Sequence, residues 1–305
     1  MNPTEMAAAP DLWADWLLHK RFSNDANVES ALRSSIETDV DRMLDHAQLK
    51  AGMTLLDVGS GDGTVGLRAI ARVGAALNVH MSDVSPTLLD HAKQRTHDAG
   101  VASQCRFSLC DAQALTVIED ACVDAVTTRA VIGYLPDKLA VFREFYRVLK
   151  PGGRISLAEP IRRDEAFEVC SLRKLVEAGR DAPENRFFSL LHRWKRTQFP
   201  DTEEALATMP MTSFSERDLV SCAMLSGFTD IHMEFHIDIG AAISRSWDSM
   251  LDSTPFPWAP TLRRVMDEQF SVEERQLFEQ VLRSDIGAER MRTATRMAYI
   301  SAAKP

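Results

Sequence analysis

Over the first fifty positions, hydrophobic residues recur at three-and-four spacing. Leu12, Trp13, Trp16 and Leu17 form one stripe within 11–21. Val28, Leu32, Ile36, Val40, Met43, Leu44 and Ala47 form a second within 28–49. Both predict amphipathic helices. From Met53 the pattern changes. The stretches 53–58, 76–83, 105–112, 123–129 and 154–160 are short, mostly apolar and bounded by glycine, proline or an acid, as expected of strands in a buried parallel sheet. Helical patterns lie between them. One starts at Thr64, one at Pro86 with Ser85 as its N-cap, and one covers 138–149. Alternation of this kind predicts an α/β chain.

After 160 the alternation stops. A long excursion over 161–212 carries helical patterns at 165–179 and 185–195, followed by a helix at 215–226 that opens on a partial capping box, Ser215 to Asp218. Residues 231–239 alternate apolar and polar, predicting a half-exposed strand. A second excursion follows, with helices expected near 241–251 and 261–282, and 295–302 is the closing strand. The expected units are therefore 1–49, an N-terminal helical cap; 50–160, the ligand-binding core; 161–212, a helical lid; 213–240, a core helix and strand; 241–290, a second helical insertion; and 291–305, the closing strand. Residues 1–10 read as disordered.

The most informative stretch is Asp57-Val58-Gly59-Ser60-Gly61-Asp62-Gly63-Thr64. Strand, glycine turn and helix open a nucleotide-binding unit, because glycine accepts positive φ and lets the backbone approach a ligand closely. The dinucleotide fingerprint wants a third glycine where Thr64 stands. Asp57, just ahead of the first glycine, suits a ligand carrying an ammonium group better than one carrying pyrophosphate. The second strand ends in Asp83, placed to accept hydrogen bonds from ribose hydroxyls, and the third is followed by Asp111.

These residues resemble a known family. Residues 57–63 resemble motif I, D/E-x-G-x-G-x-G, of the class I S-adenosylmethionine (SAM)-dependent methyltransferases. Asp83, Ser85 and Leu89 resemble motif II, D-x-S-x-x-x-L. Arg147-Val148-Leu149-Lys150-Pro151-Gly152-Gly153 is similar to the R-x-L-K-P-G-G of the ubiquinone/menaquinone-biosynthesis-type small-molecule group. The resemblance implies a Rossmann-like, doubly wound seven-stranded sheet whose last strand is antiparallel, with helical lid insertions. It implies SAM as cofactor, S-adenosylhomocysteine as product, and cofactor contacts from Asp57, Gly59, Ser60, Gly61, Gly63, Asp83, Val84, Asp111, Ala112 and Arg129. Asp111 and the Ala112 amide would take the adenine. Acceptor-side residues follow the fourth strand in this family, which makes Arg129 and Tyr134 catalytic candidates. Glu159, at the end of the fifth strand, and His192, in the first lid, are further candidates.

Composition narrows the function. The net charge of −9 disfavours a nucleic-acid partner. No run of 18 apolar residues predicts a membrane span, and 1–10 does not read as a signal peptide. Cys105, Cys110, Cys122, Cys170 and Cys222 are scattered and include no C-x-x-C, so neither a zinc site nor a disulfide framework is expected; the expected compartment is the cytoplasm. Methyl transfer from a sulfonium needs no metal, and none is expected. His80, His232 and His236 read as structural strand residues. The expected reaction is methylation of a small molecule in secondary or cofactor metabolism, with the acceptor atom open. Trp13, Trp16, Phe22, Phe187, Phe188, Trp194, Trp247 and Trp258 are candidates to enclose the acceptor. Arg129, Arg162 and Arg193 are candidates to hold an acidic group on it. The alternatives are an RNA or protein methyltransferase, for which the basic cluster 192–196 speaks; arsenite methylation through Cys170 and Cys222; a SAM-binding scaffold without transfer; and an NAD(P)-dependent oxidoreductase.

Overall fold

A computed structural model describes residues 11–23, 25–179, 182, 185–287 and 291–305; the expectations for 1–10 lie outside them. The chain begins with one helical turn, α1 (Leu12–Asp15), capped by the Asp11 carboxylate. It widens at once into a π-helix over Trp16–Lys20, where a regular helix was expected. Such widened turns recur at functional sites. Helix α2 (Ala26–Ala47) follows, capped by Asp25 and ended by Gln48 in the left-handed region.

The sheet then builds up in alternation: β1 (Thr54–Val58), α3 (Thr64–Val73), β2 (Asn78–Asp83), α4 (Pro86–Asp98), β3 (Cys105–Leu109), β4 (Val123–Arg129), α5 (Lys138–Val148) and β5 (Leu149–Pro160). Ser85 caps α4 and Pro86 occupies its first turn, as the sequence predicts. The Lys150-Pro151-Gly152-Gly153 stretch does not precede the fifth strand as a turn. It lies within β5 as an irregularity, since β4 pairs Val123 with Leu149 but Ala125 with Arg154.

The remaining elements are α6 (Arg163–Ala178), α7 (Asn185–Lys195), α8 (Glu203–Thr208), α9 (Glu216–Leu225), β6 (Thr229–Ala241), α10 (Trp247–Asp252), α11 (Leu262–Gln269), α12 (Val272–Gly287) and β7 (Arg292–Ala303). The seven strands run β3-β2-β1-β4-β5-β7-β6. Strand β7 is antiparallel to both neighbours, so the sheet is the Rossmann-like, doubly wound one. Sequence reasoning missed α8. It also placed a helix at 241–246, where β6 and the approach to α10 lie, and read as continuous the pattern that Phe270 and Ser271 break into α11 and α12.

Two apolar cores flank the sheet. One gathers Leu56, Val126, Phe142, Phe145 and Leu219; the other gathers Met43, Leu44, Leu55, Ile70 and Met81. The two excursions do not stand apart as separate lids. Leu190 of α7 packs with Met250, Leu262, Val265 and Phe278 of the second excursion. Phe199 and Leu206 of the first pack with Phe256 and Ala259 of the second. They form one helical cap with a core of its own, and the second excursion hangs from the end of the β6–β7 pair, which runs on past β5 to Ala241 and Arg292. Among the described residues no helix is long and apolar enough to cross a membrane.

Candidate active site

Between the carboxyl ends of the parallel strands and the cap lies a cavity of about 1950 Å³. Its floor is the turn after β1. Gly59 has φ +66°, and a Cβ there would come within 2.3 Å of Val131 Cγ2. Gly61 has φ +53°, and a Cβ there would meet only Leu17 Cδ2, at 3.4 Å. The first glycine is therefore required by packing, and the second leaves bare backbone at the cavity. Asp62 and Thr64 hold the turn. Asp62 Oδ1 accepts from the Thr64 amide and hydroxyl at 3.2 and 2.6 Å, while Arg95 of α4 pairs with Asp62 Oδ2 at 2.7 Å. Thr64, which breaks the dinucleotide fingerprint, thus closes a local cap at the start of α3. Gly63 is that helix's N-cap and does not line the cavity.

Asp83 lies at the cavity wall, nearly buried. Its two oxygens accept from the amides of Gly61 at 2.8 Å and Ser85 at 2.9 Å. Burial outweighs these bonds and pushes its carboxyl above the usual range. Each oxygen keeps a lone pair for a ligand hydroxyl. Ser60, Val84, Asp111 and Ala112 line the same wall, with Asp111 fixed by the Gln113 amide at 2.8 Å.

Asp57 is different. It is 1% exposed and lies behind the turn, outside the cavity lining. One oxygen accepts from Thr127 Oγ1 at 3.1 Å, and the other makes no well-formed hydrogen bond among the described residues. Burial pushes its carboxyl up to about 7. Direct contact between Asp57 and a ligand ammonium group does not fit this placement.

Across the cavity, Arg129 pairs with Asp39 of α2 at 2.9 Å, and Asp39 also accepts from Tyr299 Oη at 2.7 Å. Tyr134 faces the cavity from the short helical turn after β4. Burial raises its phenol above the ordinary value, so it keeps its proton and can donate. Glu159 does not face the cavity. It is 2% exposed and accepts from the amides of Val131, Ile132 and Gly133 at 2.9–3.0 Å, and burial pushes its carboxyl up to about 7. It shapes the loop that presents Tyr134. His192 is also off the wall: its imidazole bonds Asp201 at 3.0 Å, because the face of α7 that carries it turns away from the cavity.

The aromatic candidates divide in the same way. Trp13, Trp16, Phe22 and Trp194 line the cavity, while Phe187 and Trp247 pack inside the cap and Phe188 is exposed. Trp258 reaches the site through Tyr134. An unbroken run of ring contacts, Trp16–Trp13–Tyr134–Trp258–Phe256–Phe199, joins the N-terminal helix to the loop after β4 and both excursions. Trp16 Nε1 also donates to the Thr254 carbonyl at 3.0 Å, closing the N-terminal segment onto the cap.

Of the arginines expected to hold an acid, Arg193 pairs with Glu274 away from the cavity and Arg162 pairs with Glu165 on its wall. The sequence reading missed Arg21, Lys195 and Arg245. All three line the cavity, and among the described residues none has an ion-pair partner. Burial pushes Arg21 down to about 10, aided by the charge of Arg129. Burial likewise lowers Lys195 and Arg245. Arg21 lies 5.2 Å from the Trp16 ring and Lys195 4.5 Å from the Trp194 ring. Only the basic cluster 192–196 hinted at any of them. Cys170 belongs to the cap core and Cys222 packs against the sheet core, and no cysteine joins a metal-holding group among the described residues, so convergent thiolates for arsenite are not formed.

Comparison with known proteins agrees with this geometry. A methyltransferase-domain family profile matches residues 49–196. The ubiquinone/menaquinone biosynthesis C-methyltransferase UbiE of Xylella fastidiosa is 31% identical over 179 residues, covering 55% of this chain and 68% of that protein. The 27-O-demethylrifamycin SV methyltransferase of Amycolatopsis mediterranei is 32% identical over 166 residues, covering 52% and 59%. The solved structure of the YcgJ protein from Bacillus subtilis shares the fold, with a TM-score of 0.55 at 16% identity over 88% of this chain and 98% of that one.

Proposed function

The chain belongs to the class I SAM-dependent methyltransferases, and from that premise we propose that it methylates a small, largely apolar molecule bearing an acidic group, enclosed beneath the cap and acting in the cytoplasm. The cofactor is SAM, which when bound supplies a methyl group already activated on a sulfonium. Asp83 holds the ribose hydroxyls, Asp111 and the Ala112 amide hold the adenine, and the turn Gly59-Ser60-Gly61, bare at Gly61, accommodates the amino-acid portion. These assignments suit the fit already described: a bare glycine backbone, a buried carboxylate with free lone pairs, and an aromatic wall opposite.

The residues at the cap end bind, orient and exclude water. Trp13, Trp16, Phe22 and Phe256 supply apolar surface. A closed, dry site favours in-line transfer by holding the reacting atoms at contact distance. Tyr134 donates a hydrogen bond to a polar atom of the acceptor and fixes its orientation, since burial keeps its phenol protonated. Arg21, Lys195 and Arg245 attract the acidic group, because a partly desolvated cation with no ion-pair partner among the described residues gains most from an anion that arrives with the ligand.

The observation that carries this reading is the set of three cations, none with an ion-pair partner among the described residues, on the wall of an aromatic-lined cavity. It is tested by following S-adenosylhomocysteine release over a panel of arene and polyketide carboxylic acids, their neutral amides, unmodified transfer RNA and bulk protein. Turnover is expected with acids and is at least about tenfold lower with the matched amides. Turnover confined to RNA or protein would contradict an enclosed small-molecule site.

A further inference from the structure

Beside the cavity, at the junction of α2 with the edge strand β6, three imidazoles converge on one carboxylate; His236 lines the cavity, and His46, His232 and Glu234 lie outside its lining. Glu234 and His232 lie two residues apart on β6 and so point to one face, with His236 next in the same row. His46 comes from the last turn of α2. The Nε2 atoms of His46 and His232 each lie 3.2 Å from the same Glu234 oxygen, Oε1. Their rings stack at 5.3 Å and 28°, and both Nε2 atoms approach the one oxygen.

We propose that His46, His232 and Glu234 form a binding site for a divalent transition-metal ion of zinc's class, which clasps the end of α2 to β6. A tetrahedral zinc with bonds of about 2.0–2.1 Å keeps its ligand atoms about 3.3 Å apart, and the two nitrogen–oxygen separations match that spacing. The potential ligand atoms all lie within 4.8 Å of one another. Two imidazoles and a carboxylate select zinc over the hard cations calcium and magnesium. The fourth position faces solvent, because the His232 side chain is 57% exposed, and water completes the set.

The surroundings hold the carboxylate in place. Glu234 Oε2 is 2.9 Å from His236 Nε2, and His236 Nδ1 is 2.9 Å from Arg42 Nη1. Arginine can only donate, so His236 accepts at Nδ1 and carries its proton at Nε2, toward Glu234. A ligating carboxylate oriented by such a partner is the usual arrangement around bound zinc. Asp39, Arg42 and His46 fall on one stripe of α2, so a metal at His46 would also steady the helix that positions Arg129 through Asp39.

The test uses the purified 305-residue chain, stripped with EDTA and titrated near neutral pH with zinc chloride, and separately with calcium chloride. The expected result is about one zinc per chain at micromolar affinity or tighter, no calcium, and a melting temperature raised by about 5 °C at a hundred times Kd. His46→Ala/His232→Ala should weaken zinc binding by more than about a hundredfold, beyond the loss typical of a residue that merely supports a ligand. Glu234→Gln, which keeps the shape of the side chain, should weaken it as well. His97→Ala, at an exposed histidine elsewhere, should leave it unchanged. Cobalt substitution should give a tetrahedral d–d spectrum without a thiolate charge-transfer band. The proposal is overturned if the wild type takes up no zinc, if the folded double variant binds as the wild type does, or if the cobalt spectrum reports thiolate.

Discussion

At the glycine-loop end of the cavity, the wall comes from the turns that end three neighbouring strands, β1, β2 and β3. At the cap end it comes from the N-terminal helix, the loop after β4 and both excursions, and the hydrogen bond that closes it spans 238 residues. The first wall is held by bonds within or between adjacent turns, such as Asp83 to the Gly61 amide. The second is held by ring contacts and by the cap's own core. Recognition of the common cofactor can thus rest on local geometry, while the acceptor end changes whenever distant helices repack.

The sharpest way to break the first wall is Gly59→Val. Positive φ and a Cβ forced against Val131 together cost about 2–6 kcal/mol. S-adenosylhomocysteine binding should be lost and the melting temperature lowered; a variant of normal affinity would remove the turn from the site. Asp83→Ala should cost roughly 1.5–3 kcal/mol of binding, on the order of ten- to a hundredfold in affinity, as read by calorimetry on a folded protein.

Smaller changes probe the second wall and the support beneath the first. Trp16→Phe keeps the ring and deletes the bond to Thr254, so stability should fall by about 1 kcal/mol while cofactor affinity stays within about twofold; a tenfold loss of affinity would mean the two walls are not separable. Asp57 gives a pH signature. Its carboxyl is raised to about 7 from an ordinary value near ~4, so between those values the native state binds more protons than the unfolded chain. Its contribution to stability is present at low pH and is lost as pH rises through about 7. Melting temperatures from pH ~5 to ~8 should therefore fall less steeply in Asp57→Asn than in the wild type, with Glu159 retaining part of the slope. Parallel curves would show that Asp57 does not titrate there.

The same contrast explains what could be read from the chain alone. Strand ends, the glycine turn, the Ser85 and Ser215 caps and the positions of Asp83 and Asp111 are written in adjacent residues, where period and turn chemistry act. The irregularity within β5 was not visible, because Pro151 and Gly152 look alike in a turn and in a bulge. Nor was the burial of Asp57, since spacing places a carboxylate near a turn without saying which side it faces. At the cap, His192 and Arg193 read as candidates from their place in the first excursion, yet they pair with Asp201 and Glu274 away from the cavity. Arg21 and Arg245 carried no local mark, and Lys195 only that of the basic cluster 192–196. Their role comes from facing the cavity with no ion-pair partner among the described residues, which only the packed chain reveals.

The most direct test of separable walls is S-adenosylhomocysteine calorimetry on Asp83→Ala and on Lys195→Ala/Arg245→Ala, side by side with the wild type. The prediction is a loss of at least about tenfold for Asp83→Ala and an affinity within about threefold of wild type, under ~0.7 kcal/mol, for the double variant. Equal losses in the two folded variants would contradict the account, because the cationic end of the cavity would then be holding the cofactor.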